Sequence, residues 1–182
     1  MRRTDLALAG NQPSGRVTFD DIYAEHFDFV WRCLRTLGVP AAALDDAAQD
    51  VFVIVHRRLP EFRGESSLPT WLFAVARNVA ANYRRGAGRK QGPLVPLVDE
   101  LPHVGPGPVE HAQDREAAVF VAGFMAALDE DKRGLFFLAV LEELPLPEVA
   151  VAMEIPLNTA YTRLRRLRGA FQQALAKRET AA

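Results

Sequence analysis

Between Gly86 and Pro108, five glycines and five prolines fall within 23 residues. Glycine carries the greatest backbone freedom, and proline locks φ and removes an amide donor, so neither a helix nor a strand runs through such a stretch. The segment reads as a flexible Gly/Pro-rich linker over 87–109, and each flank is expected to build its own core. The predicted units are 18–86 and 110–178. Residues 1–17 are polar, lack a sustained period and read as a loose tail.

Both units show helical periodicity. Ile22, Tyr23, Phe27, Val30, Trp31, Leu34 and Leu37 recur at helical spacing, with Gly38 and Pro40 as the stop. Val51 to Val55 alone reads as a strand, but Ala47, Ala48, Val51, Phe52 and Val55 make one continuous stripe. The spacing therefore predicts a second helix from an Asp45 N-cap to about Leu59. A third runs from about Pro69, a favourable first-turn proline, to about Arg85. The second unit is expected to hold helices near 110–128, 131–143, 147–153 and 157–177. The fold class is all-α, two small helical domains, with no internal repeat.

The net charge of −1 hides a pattern. Trp71 to Lys90 has five bases and no acid, and Leu157 to Arg178 six bases and no acid. Gln91 to Pro156, between them, has 12 acids against 3 bases. Two basic blocks on one chain suggest two polyanion contacts. Other classes fall away. The longest apolar run, Leu135 to Leu141, is far short of the roughly 20 residues of a membrane span, so no membrane insertion is expected. One cysteine, Cys33, excludes an internal disulfide and fits a cytoplasmic protein. The four histidines lack ligand spacing, and no nucleophile–base pair is present, so no metal, cofactor or catalytic residue is expected.

Residues 145–175 read as a helix-turn-helix. Pro147 opens a short helix with Val149, Ala150 and Met153, and Glu154, Ile155 and Pro156 form the turn. Asn158 is the expected cap of the longer helix, with Thr159 in its first turn. Ala160, Leu164, Leu167, Phe171 and Leu175 share one face. Asn158, Tyr161, Thr162, Arg165 and Arg168 share the other, flanked by Arg163 and Arg166. Such a helix enters the DNA major groove N-terminus first. Arg165 is placed to read a base edge, and Arg163, Arg166 and Arg168 to hold phosphates. An amphipathic hairpin with a basic outside fits the same spacing.

In the first unit, Asp46, Gln49, Asp50 and Val53 fall at i, i+3, i+4 and i+7 and share one helix face. An acidic face with an apolar member suits a basic partner helix, and a solvated face equally fits the pattern. The third helix interleaves Trp71, Phe73 and Tyr83 with Arg77, Asn78, Asn82, Arg84 and Arg85, as stacking onto unpaired bases requires. Core and DNA contact stay equally open for Trp71 and Phe73. The loop Phe62, Arg63, Gly64, Glu65, Ser66, Ser67 reads as a turn or as a polar pocket for an extruded base.

The strings Asp46–Phe52 (DAAQDVF), Phe62–Asn78 (FRGESSLPTWLFAVARN) and Ile155–Arg168 (IPLNTAYTRLRRLR) resemble the extracytoplasmic-function (ECF) sigma factors of bacterial RNA polymerase, within the sigma-70 family. The likeness spans most of residues 19–177 outside the linker. It implies two helical domains, sigma regions two and four, and a protein that carries core RNA polymerase to promoters and helps melt them. By that likeness Asp46, Gln49, Asp50 and Val53 bind the clamp helices of the beta-prime subunit, the beta subunit is a further partner, and the linker threads through the polymerase near its active site and RNA exit path. Phe62 to Ser67 hold a flipped base of the −10 element, which Trp71, Arg77, Asn78, Asn82, Arg84 and Arg85 help melt and hold. Tyr161, Thr162, Arg163, Arg165 and Arg166, with Asn158 and Thr159, contact duplex −35 DNA. Tyr161 stands where the family often has arginine. An anti-sigma protein is a further implied partner. Two rival readings survive at this level: a freestanding helix-turn-helix regulator, which binds DNA without polymerase, and a helical adaptor, which binds none.

Overall fold

The computed structural model describes residues 18–87 and 108–181. The expected tail at 1–17 and the linker from 88 to 107 lie outside the described residues. Of the rest of the expected linker, Ala87 ends one helix and 108–109 begin the next.

The first unit is a three-helix bundle. α1 (Phe19–Thr36) opens on a capping box. Thr18 Oγ1 accepts the Asp21 N–H at 3.2 Å, and Asp21 Oδ2 accepts from Thr18 N at 3.2 Å, so two orphan donors are satisfied reciprocally. A 3₁₀ turn at Ala41–Ala43 leads into α2 (Leu44–Arg58), and a second at Leu59–Glu61 ends it at Pro60. The expected Asp45 cap is corrected: the turn carries the chain into the helix, Ala43 takes the cap position, and Asp45 Oδ1 instead accepts from the Trp31 indole at 3.4 Å. α3 (Leu68–Ala87) lies against both α1 and α2. Val51 and Val55 are fully buried within α2, as the helical stripe requires.

The second unit holds α4 (Pro108–Ala126), α5 (Glu130–Phe136), a π turn at Phe137–Leu141, α6 (Leu146–Ala152) and α7 (Leu157–Ala181). The expected helix 131–143 thus changes pitch after its second turn, and Leu135 to Leu138 are all buried there. Asp129 caps α5, accepting the Lys132 amide at 2.9 Å and its Nζ at 2.5 Å. These bonds hold its carboxyl below the usual carboxylate range, so its contribution is full at neutral pH and is lost as acid protonates it. Glu154 takes a positive φ of 56° in the turn between α6 and α7. α7 begins one residue before Asn158, because the Pro156 carbonyl already accepts the Thr159 and Ala160 amides at 2.9 and 3.1 Å. Asn158 is therefore a first-turn residue, not the cap. Leu175, expected on the packed face, is 36% exposed. All described elements are helical.

The two units do not keep separate cores. One apolar cluster runs from Ile22 and Leu34 through Phe73 to Leu135, Met153 and Leu167. Phe73 is fully buried, and the tip of its ring and the Met153 sulfur crowd Gly134, where a Cβ would stand 3.4 and 3.3 Å from them. Phe29 and Phe137 also bring rings from the two units to 6.3 Å. Around this seam lie charge-assisted hydrogen bonds. Arg32 donates to both oxygens of Glu142 at 2.9 Å, with the side chains 32% and 16% exposed. Arg84 donates to the Leu37 carbonyl at 2.6 Å and pairs with Glu130 at 2.8 Å. Arg133 donates to the carbonyls of Thr36 at 3.3 Å and Leu128 at 2.8 Å, and burial lowers its pKa. The C-terminal carbonyls of α1, left without helical partners, thus take two guanidinium groups.

Glu142→Lys should reverse the fork with Arg32 and weaken the closed arrangement by about 1–2 kcal/mol after allowance for partial solvent screening. Spin labels placed one on each unit should then report a longer, broader separation than in the parent chain. An unchanged distance distribution would show that the pair contributes nothing to closure.

Candidate nucleic-acid interface

α2 turns Ala47, Ala48, Val51, Phe52 and Val55 inward, which leaves Asp46, Gln49, Asp50 and Val53 exposed together. Val53 is 48% exposed, unusual for a valine beside so complete a core. On one flank lie the aromatic rings of α1, with Tyr23 and Phe52 centroids 4.7 Å apart. On the other, the Tyr83 hydroxyl of α3 donates to Asp50 at 2.8 Å. The predicted face exists as an exposed, acidic, partly apolar surface.

The loop 62–67 turns at Gly64, whose φ of +72° suits glycine. Arg63, Gly64 and Glu65 are exposed, and Ser66 and Ser67 half-buried. Phe62 and Trp71 meet as a tilted pair with ring centroids at 4.9 Å, both half-buried, so an aromatic platform flanks the loop. The open choice for the third-helix aromatics divides here: Phe73 is core, and Trp71 keeps a partly exposed ring.

The second unit lies across this surface. Glu148, in the first turn of α6, accepts the hydroxyls of Ser67 and Thr70, the latter at 2.9 Å. Arg77 donates to the Met153 carbonyl at 3.2 Å. Arg77, Asn78 and Arg84 line a cavity of about 220 Å³ whose far wall is Glu130, Ala152 and Glu154. Asn82 is exposed and accepts from Arg85, so those two stand clear of the seam. The residues expected to hold a −10 element thus fall in two sets. Ser67, Arg77 and Arg84 face the second unit; Arg63, Asn82 and Arg85 face solvent.

α7 places its predicted residues differently. Ala160, Leu164 and Leu167 are buried, so Tyr161, Thr162, Arg165, Arg166 and Arg168 stand outside. Asn158 is exposed and Thr159 half-buried. Tyr161 is 56% exposed. Arg163 turns towards α5 and approaches Asp131 at 3.9 Å. An open groove of about 770 Å³ follows the helix, lined by Leu144, Leu146, Tyr161, Thr162, Arg165 and Arg168 among others. The exposed row is cationic and aromatic, and α7 supplies no acid to it before Glu179.

Sequence reasoning missed Arg32, Thr70, Glu130, Arg133, Glu142 and Glu148. The available signal was the acidic excess of 91–156, which named a charge without naming its counterpart. No cluster of three or more potential metal ligands occurs among the described residues, and none of their helices is long and apolar enough to cross a membrane.

Two family models match the chain: Sigma-70 region 2 over residues 22–90, and Sigma-70, region 4 over residues 122–170. The ECF RNA polymerase sigma factor SigC of Mycobacterium tuberculosis is 32% identical over 167 residues, which is 92% of this chain and 88% of that one. The ECF RNA polymerase sigma-E factor of Escherichia coli K12 is 30% identical over 140 residues, 72% of this chain and 73% of that one. Among solved structures, sigma factor RpoE in complex with the anti-sigma factor NepR from Bartonella quintana superposes with a TM-score of 0.64 at 20% identity, covering 87% of this chain and 96% of that one. CnrH in complex with the cytosolic domain of CnrY gives 0.61 at 19%, covering 87% and 88%. These two matches concern the fold. Two helical units in this order, a last helix with an exposed basic face, both family models and relatives matched along most of their length lead to one conclusion: the chain belongs to the ECF sigma factors of the sigma-70 family, which direct RNA polymerase to promoters.

Proposed function

We propose how this chain divides the work of a sigma factor among its residues. Residues 18–86 serve as the polymerase-binding and −10 unit, and 110–178 as the −35 unit. Asp46, Gln49, Asp50 and Val53 dock on the basic clamp helices of core polymerase. Phe62 to Ser67, with Trp71, Arg77, Asn78, Asn82, Arg84 and Arg85, trap the unpaired −10 strand. Asn158, Thr159, Tyr161, Thr162, Arg163, Arg165 and Arg166 meet duplex −35 DNA. The observation that carries this reading is the outer face of α7: its cations are exposed while its apolar row is buried, as major-groove entry requires. The protein does no bond chemistry of its own; nucleotide addition belongs to the polymerase, in the cytoplasm. The RpoE structure from Bartonella is a complex with an anti-sigma factor, and the same kind of partner is proposed here.

The closed arrangement bears on promoter loading. Glu148, Glu130 and the Met153 carbonyl engage Ser67, Arg77 and Arg84, donors that the −10 strand would need. The units therefore part before these side chains meet DNA. Capturing an extruded base then offsets part of a melting cost of a few kcal/mol.

Run-off transcription from a promoter library, with core polymerase and with or without the protein, tests the whole reading. Initiation that depends on the protein is expected, and it yields the promoter motif. Asp50→Arg should abolish polymerase binding while the helical content stays unchanged; normal affinity would remove that face from the assignment. Arg165→Ala should relax base preference within the −35 element by about 1–3 kcal/mol if the contact is bidentate, as read from the same library. Glu148→Ala should raise the free chain's affinity for a single-stranded oligonucleotide carrying the −10 motif several-fold, measured by fluorescence anisotropy. Equal affinity would show that Glu148 does not obstruct the site.

A further inference from the structure

Asp50 has a neighbour that neither its helix nor its sequence spacing announces. Tyr83, on α3, packs its half-buried ring against the core of the first unit and brings its hydroxyl to 2.8 Å from Asp50 Oδ2. The phenol is held at one end by packing and at the other by a charge-assisted hydrogen bond. Asp46, one turn earlier on α2, adds its field at the same hydroxyl. The bond to Asp50, more than burial or charge, pushes the phenol up to about 12, so it stays a neutral donor at any working pH. Tyr83 is also separate from the seam between the units, which α3 contacts through Thr70, Phe73, Arg77 and Arg84.

We propose that Tyr83 is a positioning residue for polymerase docking: by donating to one oxygen of Asp50, it fixes the carboxylate plane and aims the second oxygen at a cationic side chain of the polymerase. A free aspartate on an exposed helix face loses rotamer freedom when it binds; a carboxylate already held by a tyrosine loses less. The gain appears in the complex and leaves the free fold nearly unaffected, since the pair is exposed to solvent. This inference rests on the assignment of Asp50 to the docking face.

A double-mutant cycle on the full chain tests it, with affinity for core polymerase measured for the parent, Tyr83→Phe, Asp50→Ala and the double variant. Phenylalanine keeps the ring and removes only the donor, and alanine removes the acceptor. Tyr83→Phe should weaken binding about 3- to 10-fold with an unaltered thermal midpoint. It should have no further effect once Asp50 is Ala. Parent-like affinity for Tyr83→Phe, or the same loss in both backgrounds, would overturn the inference while leaving the docking face in place. Parent-like affinity for Asp50→Ala would instead remove the docking face, and the positioning role with it.

Discussion

α3 is packed from two directions, and both units depend on that double burial. Leu72, Phe73, Val75, Ala76, Val79 and Ala80 are all nearly or fully buried, so the helix has almost no solvated apolar side. At roughly 25 cal/mol per Å² such burial is a main source of stability for a small helical unit. The polar residues of α3 are consequently confined to narrow strips. Thr70, Arg77 and Arg84 line the edge met by the second unit, Asn82 and Arg85 the open edge, and Tyr83 the edge beside α2. A helix packed so fully cannot present aromatics and cations freely, and this explains why Phe73 belongs to the core whereas Trp71, at the helix start, keeps an exposed edge.

The charge pattern follows from the same geometry. The acidic excess of the middle segment is not merely a solvated surface. Glu130, Glu142 and Glu148 fall on the face that meets the first unit, and each engages donors there: Arg84, Arg32, and the hydroxyls of Ser67 and Thr70. The second unit thus offers an anionic surface to the first unit and a cationic one to solvent. Ser67, Thr70 and Arg84 of the first unit are met by carboxylates of the same chain, while Arg165, Arg166 and Arg168 of α7 stand exposed.

Helix number, order and type were legible in the sequence, and α1, α2 and α7 most clearly, because each of those carries a stripe long enough to distinguish a 3.6 period from a 2.0 period. The exposed faces of α2 and α7 were legible for the same reason, being the complements of those stripes. Local ends were less so. Asp45 satisfies every compositional rule for a cap, yet the alanine-rich 3₁₀ turn enters the helix without one. Asn158 lost its cap role to Pro156, two positions earlier. The π turn at Phe137–Leu141 lies in an all-apolar run that any helical pitch would bury, so no pattern marks it. The contacts between units were beyond reach: Arg32 and Glu142 are separated by 110 residues, and nothing in either one's surroundings names the other. Tyr83 was visible as an aromatic among bases, and only three dimensions show that it leans towards Asp50 and away from the cations.

The seam between the units has a consequence that comes from connectivity. Residues 88–107 join the units covalently, and twenty residues reach at most about 70 Å. A tether of that length keeps each unit near the other at an effective concentration on the order of millimolar. A contact that would be negligible between two separate proteins therefore suffices to populate the closed form. Any ligand needing the open form sees its apparent dissociation constant multiplied by the inverse of the open fraction. A sigma factor of this build favours a multivalent platform: a polymerase that grips both units at once offsets that penalty with two sets of contacts, whereas a DNA strand that needs only the covered side chains of the first unit has one set to offset it.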